Sequence, residues 1–440
     1  MYIIMAIPVF FILIGVELLL SKIQGKKLYR LNDSINDLSM GMLSMVGGPF
    51  FKTIVFAGYL YIYQHWRLLD MGATSLYGVT GFSIWVWISC FLAKDLMYYW
   101  AHRMSHQMNI GWAAHIAHHQ SEEYNLSVAL RQSAFQGLFF WVFYLPLALI
   151  GFPPGVYFVC SQLNTLYQFW IHTRTIGKLG PLEWVMNTPS HHRVHHGRDP
   201  KYIDKNHAGT FIIWDRMFGT FQEEEEEPTY GIVTPLKSWN PVWGQIHYFV
   251  KLVKTSIAAP RWSDKVLLWL KEPAWEPRGL EAPEGHVPES RRPGYKNYDT
   301  RIPPGLAVYA LLHFVVALWM VTGWLSVKGS MPWGQFTGSA AFFAFHLACI
   351  GGLFELKRWA FVAECARLVA MLVIFFYDGW AFFGVTPLTG LAITIVVTWA
   401  TIASLAWLFR YRRQFGVPQV HLPQEEGVLA PKVQEPAEPQ

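Results

Sequence analysis

The stretch TGFSIWVWISCFLAKDLMYYWAHRMSH, residues 80–106, joins an apolar run directly to a pair of histidines. Residues 80–100 are apolar over roughly the 20 residues that an α-helix needs to cross a lipid bilayer. His102 and His106 follow four positions apart, so a continuing helix places both imidazoles on one face. The stretch therefore predicts a membrane helix that ends in a group of potential metal ligands.

Further apolar runs of similar length occur along the 440-residue chain, in which 52% of the residues are hydrophobic and 15% are charged. Soluble domains carry about a quarter charged residues, so this deficit indicates burial in lipid. We predict an all-α polytopic membrane protein with about nine spanning or re-entrant helices and a cytoplasmic histidine-rich cap. The other eight runs are 2–20, 39–62, 135–152, 153–171, 304–326, 333–355, 359–381 and 385–409.

Basic residues predict the orientation of these helices, because Lys and Arg concentrate in cytoplasmic loops. One basic segment, 22–30, follows the first apolar run, and another, 410–413, follows the last. They predict an N-terminus outside, a C-terminus inside and a histidine-rich site on the cytoplasmic side. These border residues also account for the net charge of +5, so no nucleic-acid partner is expected.

Composition divides the chain into five expected segments. Membrane helices are expected near both ends, and the region between them is rich in histidine or polar. The tail is rich in Pro, Gln and Glu, which predicts disorder. The segments are 1–79 (N-terminal membrane helices), 80–235 (histidine-box catalytic region), 236–303 (interfacial and cytoplasmic segment), 304–413 (C-terminal membrane helices) and 414–440 (tail).

Histidine is concentrated between residues 102 and 196, which contain ten of the 17 histidines. HRMSH (102–106), HIAHH (115–119) and HRVHH (192–196) each place their imidazoles near one face of a helix, which predicts that each box acts as one group. Neutral imidazole is the commonest side-chain metal ligand, and a nitrogen-rich set suits iron, zinc, copper or nickel. Eight or more donors exceed the coordination positions of a single ion, so two ions are expected.

Other polar residues near the boxes are candidates as ligands or supports. His172 ends the fifth apolar run at the expected depth of the boxes, which predicts a further ligand. Spacing alone does not separate His191 from His192, but the repeated HxxHH pattern favours His192 as ligand and His191 as support. His207 lies outside the pattern and is predicted to be structural. Gln107 and Gln168 are further supports, and Gln168 could instead be a direct ligand. Another set of supports could instead cap helices or turns: Asp95, Asp204, Asn206 and Asp215.

The boxes and their flanks resemble the fatty acid hydroxylase and sterol desaturase superfamily of integral-membrane, non-haem di-iron oxygenases. The flanks YYWAHR (98–103), EEYNLSVALRQS (122–133), WIHT (170–173) and NTPSHHRVHHGRDP (187–200) are similar to its alkylglycerol monooxygenase-like branch, and the similarity covers roughly residues 90–235. The resemblance implies two iron ions whose ligands are His102, His106, His115, His118, His119, His172, His192, His195 and His196.

The resemblance also implies a function: an O2-dependent monooxygenase that hydroxylates an aliphatic carbon of a bilayer lipid. In the alkylglycerol branch this carbon adjoins an ether oxygen, the hemiacetal breaks down to an aldehyde and glycerol, and tetrahydrobiopterin donates the electrons in animals. Animal members carry an acidic residue after the second histidine of the first box, where this chain has Gln107. The donor and substrate therefore stay open, and the alternatives are hydroxylation or desaturation of a fatty acyl chain, a sterol or a carotenoid.

Two other classes of protein fit the histidines less well. A metal transporter places its donors along a pathway near the middle of the membrane, whereas these boxes lie in polar stretches that follow apolar runs. A membrane zinc hydrolase predicts a motif such as HExxH, and none of the three boxes contains an acidic residue.

Overall fold

The computed structural model describes residues 2–71, 83–282, 287–327, 329, 331–382 and 387–417. Over these residues the chain is all-α, with no β-strand. The helices are α1 (Tyr2–Ile23), α2 (Leu31–Trp66), α3 (Ile84–Gln107), α4 (Asn109–His119), α5 (Gln136–Ile150), α6 (Pro154–Trp170), α7 (Pro189–His195), α8 (Ile213–Phe218), α9 (Pro241–Ala258), α10 (Trp262–Leu270), α11 (Pro304–Val327), α12 (Trp333–Phe354), α13 (Arg358–Phe382) and α14 (Pro387–Arg410).

Each apolar run predicted from the sequence coincides with a helix. Within the described residues, five helices (α1 and α11 to α14) are long and apolar enough to cross a membrane. Helix α2 makes a sixth if its two halves, bent by 47°, count as one span. The other three fall short, because α5 and α6 have 15 and 17 residues and polar residues from Lys94 onward lower the hydropathy of α3. The expected number of nine spanning or re-entrant segments is therefore not confirmed.

A tight turn joins α5 to α6, as its glycine and prolines predict. Gly151 follows α5 with a φ of +112°, a conformation that favours glycine. Its amide donates to the Leu147 carbonyl at 3.2 Å, and a Cβ at this position would lie 2.1 Å from the Leu69 carbonyl oxygen. Pro153 and Pro154 then begin α6. After the turn, α5 and α6 each pack against α3.

Helix α3 is the centre of the histidine-bearing part of the molecule, with α4, α5 and α6 packed around it. One buried apolar cluster joins α2, α3, α5 and α6 around Cys90 and Leu147. A second joins α4, α9 and α10 around Ile116 and Leu252. The outer faces of α9 and α10 expose large apolar side chains, in keeping with the interfacial position that their sequence predicts.

The C-terminal helices α11 to α14 pack against one another, and α12 also packs against α2 and α9. Gly351 allows the contact with the segment before α9, because a Cβ there would lie 2.2 Å from the Trp239 carbonyl oxygen. Of the predicted tail, residues 414–417 fold back onto this bundle and bury Phe415. The rest of the tail, 418–440, lies outside the described residues, and the five segment boundaries stay a prediction.

A buried ion pair connects α2 to the histidine-bearing helices. The Arg131 and Asp37 side chains are 3% and 0% exposed, and their charged atoms approach to 3.0 Å. Arg131 also donates to the Ala117 carbonyl in α4 at 2.6 Å and to the side chains of Asn36 and Gln120. Removal of the cation alone would leave a buried carboxylate without its counter-charge, which is strongly destabilising.

We expect Arg131→Met to lower the free energy of unfolding by about 3–5 kcal/mol, because the buried Asp37 carboxylate loses its cation. The measurement is the melting temperature of the detergent-purified protein, followed by tryptophan fluorescence. Arg67→Met is the control, because Arg67 pairs with Asp70 at the surface, at 3.4 Å. The double variant Arg131→Met/Asp37→Asn should recover part of the loss. Equal melting temperatures for Arg131→Met and Arg67→Met would contradict this role for the buried pair.

Candidate metal centre

Four helices bring the histidine boxes together. The first box lies in the last two turns of α3, and α4 begins after a break at Met108 and carries the second box. His172 lies just beyond the end of α6, and the short helix α7 carries most of the third box, with His196 as its C-cap. Because α4, α5 and α6 pack against α3, these histidines converge on one buried region.

The nine predicted ligands form two groups, and within each group one nitrogen per imidazole lies within 4.8 Å of the others. All nine side chains are buried. The prediction that each box acts as one group is wrong for the second and third boxes, which are divided between the groups. The first cluster is His102, His106, His115, His119 and His195, and the second cluster is His118, His172, His192 and His196.

The helical repeat explains this division. Residues i and i+4 lie about 40° apart around an α-helix, whereas residue i+3 lies about 60° away on the other side. In the second box, His115 and His119 therefore stay in the first cluster while His118 turns toward the second. The third box mirrors this arrangement: its i and i+4 members share the second cluster, and its i+3 member, His195, turns toward the first.

Backbone carbonyls orient four of these imidazoles. A carbonyl oxygen only accepts hydrogen bonds, so the Nδ1 atom that faces it carries the proton. The Nε2 atom of the same ring is then unprotonated and presents its lone pair on the opposite side. The donor and acceptor pairs are His102 Nδ1 to His207 O at 2.7 Å, His118 Nδ1 to Arg131 O at 2.8 Å, His172 Nδ1 to Gln168 O at 2.7 Å and His195 Nδ1 to Lys205 O at 3.0 Å.

Within each cluster, Nε2 atoms face one another at short range. His102 Nε2 lies 2.9 Å from His115 Nε2 in the first cluster, and His192 Nε2 lies 3.0 Å from His172 Nε2 in the second. Two unprotonated nitrogens at this range would repel each other in a buried site, and a cation between them would remove that repulsion. Nitrogen ligands about 2.1 Å from a metal ion and at right angles to each other are about 3 Å apart, so this spacing suits shared coordination.

Ring nitrogens without a hydrogen-bond partner also support shared coordination of a metal ion. The Nε2 atoms of His106, His195 and His196 are buried, and no described residue gives them a hydrogen-bond partner. Burial beside other imidazoles lowers the pKa of His119 and of His196 well below the usual range. Both rings are therefore neutral near pH 7, which is the form that binds metal. The donor set fits a pair of nitrogen-rich metal sites.

Comparison with known proteins identifies the family. Residues 87–220 match the model of the fatty acid hydroxylase family. The chain is 39% identical over 373 residues to an alkylglycerol monooxygenase of Xenopus tropicalis, covering 84% of this chain and 81% of the relative. It is 38% identical over 379 residues to an alkylglycerol monooxygenase of Homo sapiens, covering 85% and 82%. The chain belongs to the fatty acid hydroxylase family. No solved structure gives a significant match.

This hydroxylase is therefore a lipid-hydroxylating monooxygenase, an oxidoreductase, and the metal-transporter alternative has no support. Its apolar helices and its relatives agree with an integral membrane protein. The histidine clusters and the family together indicate non-haem iron. A shorter match, 28% identical over 124 residues, is to the ornithine lipid hydroxylase OlsE of Rhizobium tropici and covers 28% of this chain and 38% of the relative.

In this hydroxylase, Asp95 contacts the backbone near the first cluster rather than an imidazole. Its buried carboxylate accepts hydrogen bonds from the amides of Thr210 at 2.8 Å and Phe211 at 3.0 Å. It also accepts from the indole nitrogen of Trp214 at 2.9 Å. These bonds hold Thr210 and Phe211, which lie close along the chain to the His207 carbonyl that faces His102 Nδ1. A supporting role for Asp95 stays a prediction.

His207 provides the carbonyl that orients His102, and Asp215 holds it in place. The amides of His207 and Ala208 donate to the two carboxylate oxygens of Asp215, each at 2.8 Å. The His207 ring lies outside both clusters, and its Nε2 donates to the Asp204 carbonyl at 3.1 Å. His207 therefore contacts the first cluster through its backbone carbonyl. A sequence motif cannot predict this contact, because every residue has a carbonyl.

Asn164, a residue that the sequence prediction missed, connects Asp95 to the second cluster. Its buried amide donates to Asp95, and its oxygen accepts from Lys94 and, at 3.0 Å, from Gln168 Nε2. Gln168 therefore directs its side chain to Asn164, while its carbonyl orients His172. Asn164, Gln168 and His172 recur every four residues along the fifth apolar run and share one helix face. This spacing of polar residues could have indicated from the sequence that Asn164 faces the site.

The other predicted supports lie in different places. Asp204 Oδ1 is 3.4 Å from His106 Nδ1, close to a histidine of the first cluster. Asn206 instead holds the backbone, because its side chain donates to the His191 carbonyl at 3.1 Å. His191 is buried but belongs to neither cluster. Gln107 ends α3 and makes no hydrogen bond to either cluster among the described residues.

We expect Asp95→Ala to weaken iron binding by about 10- to 100-fold, because the segment that orients His102 loses its buried acceptor. The measurement is iron per chain by mass spectrometry after dialysis against a graded series of chelator concentrations. Asp264→Ala is the control, because Asp264 is also a buried carboxylate but lies on α10, away from the clusters. The control should keep its iron. Wild-type iron retention in Asp95→Ala would show that Asp95 does not support the site.

Proposed function

We propose that the chain is a di-iron monooxygenase that cleaves the ether bond of O-alkylglycerols. The observation that carries this proposal is the pair of clusters, five and four buried imidazoles, in a chain that is 33% to 40% identical to alkylglycerol monooxygenases. Nine nitrogen donors are more than one ion can coordinate, and their separation into two groups supports two ions. The first cluster would hold one iron and the second cluster the other.

The proposed reaction inserts one atom of O2 into the C–H bond beside the ether oxygen. Two electrons and two protons convert the other oxygen atom to water. The hemiacetal that results breaks its C–O bond and yields a fatty aldehyde and free glycerol. Non-haem iron, when bound, supplies the oxygen activation that this unactivated C–H bond requires and that side-chain acids and bases cannot provide.

The residues around the clusters would exclude water and admit the alkyl chain. The Tyr98 ring lies 5.3 Å from the ring of His102, and the Phe140 ring lies 5.9 Å from that of His115. Both aromatic residues lie on the side of the first cluster where α3 packs against α5. Helix α5 exposes large apolar side chains on its outer face. We therefore place the entry of the alkyl chain from the bilayer between α3 and α5.

We place the site on the cytoplasmic side of the membrane, together with the electron donor. Arg30, in the basic segment after α1, pairs with Glu123 at 2.7 Å, so this basic segment lies close to the second histidine box. Such basic segments mark the cytoplasmic side. Tetrahydrobiopterin is the first donor to test. Other reductants belong in the same assay, because Gln107 departs from the animal pattern in the first box.

A second candidate is hydroxylation of a fatty acyl chain without cleavage of an ether. It is supported by the match of 28% over 124 residues to an ornithine lipid hydroxylase. We rank it second because this match covers 38% of the relative, whereas the alkylglycerol monooxygenase of Xenopus tropicalis is covered over 81% of its length.

We expect the purified wild-type protein to hold about two iron ions per chain, and His195→Ala to lose iron and all measurable activity. His191→Ala is a matched control, because both histidines are buried in the same short segment but His191 lies outside the clusters. His207→Ala, also outside the clusters, should likewise keep its iron. A single exchangeable ion in the wild-type protein would refute the di-iron proposal.

We expect membranes that contain the protein to release a fatty aldehyde from an alkylglycerol when O2 and a reduced pterin are supplied. The aldehyde is measured by chromatography and mass spectrometry, and membranes with the His195→Ala protein are the control. The same reaction is run with other reductants in place of the pterin. A hydroxylated acyl lipid without aldehyde would exclude ether cleavage and favour the second candidate.

A further inference from the structure

A cavity of about 410 Å³ lies at one end of the C-terminal helix bundle, outside the region that matches the hydroxylase family. Its polar lining comes from Arg301, Arg413 and Gln414, and its apolar lining includes Ile302, Leu356 and Val417. It is separate from both histidine clusters, and neither the helix packing nor the proposed reaction accounts for it.

The cavity lies where membrane helices begin and end. Helix α11 begins at Pro304 and α13 at Arg358, while α12 ends at Phe354 and α14 at Arg410. A buried apolar cluster joins these ends. Trp407, in the last turn of α14, donates from its indole nitrogen to the Gly305 carbonyl at 3.0 Å. Tryptophan at a helix end, followed by arginine, is typical of the lipid headgroup level.

The cavity has positive charge that its neighbours do not balance. Arg301 and Arg413 are both exposed, and no carboxylate pairs with either guanidinium among the described residues. Two acidic residues lie close to the lining along the chain, and both have other partners. The Glu355 carboxylate, next to Leu356, accepts from the Trp239 amide and lies 3.5 Å from Lys357 Nζ. The Asp299 carboxylate, two residues before Arg301, lies 3.7 Å from the Arg30 guanidinium.

Backbone contacts hold together the segments that line this cavity. The chain after α14 returns to the turn between α12 and α13, where the Gly416 amide donates to the Leu356 carbonyl at 2.7 Å. Leu356 itself has a φ of +48°, an unusual value for leucine. Phe415 is buried beneath the same turn. These contacts hold the segment that contributes Arg413 and Gln414 beside Arg301.

We propose that this cavity binds the phosphate of an anionic membrane phospholipid. Two arginines can form charge-assisted hydrogen bonds to phosphate oxygens, and a guanidinium is well matched to that geometry. Ile302, Leu356 and Val417 would contact the glycerol and the upper acyl carbons. Basic pockets between membrane helices are known to recognise such headgroups. The site is independent of the proposed reaction, so either proposal can fail without the other.

The test is native mass spectrometry of the detergent-purified full-length chain titrated with phosphatidylglycerol or, as the neutral lipid, phosphatidylcholine. We expect phosphatidylglycerol to bind about tenfold more tightly, and Arg301→Gln/Arg413→Gln to abolish this preference. The matched control is Arg410→Gln/Arg412→Gln, which removes the same amount of charge at the end of α14 but from residues that do not line the cavity. It should keep the preference.

Three results would overturn the proposal. One is equal binding of the two lipids by the wild-type protein. Another is an equal loss of preference in the control variant, which would indicate general attraction to basic residues. The third is displacement of phosphatidylglycerol by millimolar inorganic phosphate, which would assign the cavity to free phosphate. If the double variant does not fold, the single variants Arg301→Gln and Arg413→Gln replace it, and each should reduce the preference about threefold.

Discussion

The histidine site depends on one constraint: nine buried imidazoles are packed with ring nitrogens facing one another in two clusters. Unprotonated nitrogens at that range repel inside a protein, so the rings need fixed orientations, and a bound cation would remove the repulsion. Four of the orientations come from backbone carbonyls, those of Arg131, Gln168, Lys205 and His207. Because these carbonyls belong to three segments of the chain, each segment has to be held rigidly for the two clusters to form.

Arg131 shows how this constraint extends into the fold. Its carbonyl orients His118, and its guanidinium pairs with Asp37 on α2. Asp95 and Asn164 have a comparable role between α3, α6 and the segment before α8. A buried polar network stabilises a protein only when its members are satisfied. This explains why a chain with only 15% charged residues places several of them in its interior.

The histidine clusters and the candidate membrane spans lie on different helices. The family match, residues 87–220, covers α3 to α8, whose helices are short or too polar to be counted as spans. The candidate spans are α1 and α11 to α14, with α2 as a sixth. The histidine clusters therefore lie in the part of the chain that matches the family, and the candidate spans lie before and after it.

The sequence by itself determined the helices, the nine converging histidines and the turn at Gly151, because hydropathy, helical repeat and backbone conformation are local properties. It did not determine the number of spans or the division of each HxxHH box between two clusters. It also missed Asn164 and the orienting carbonyls. Every residue has a carbonyl, so the partner of His102, 105 positions away at His207, leaves no mark in the sequence. Only the tertiary structure decided these contacts, because they exist once distant segments have packed together.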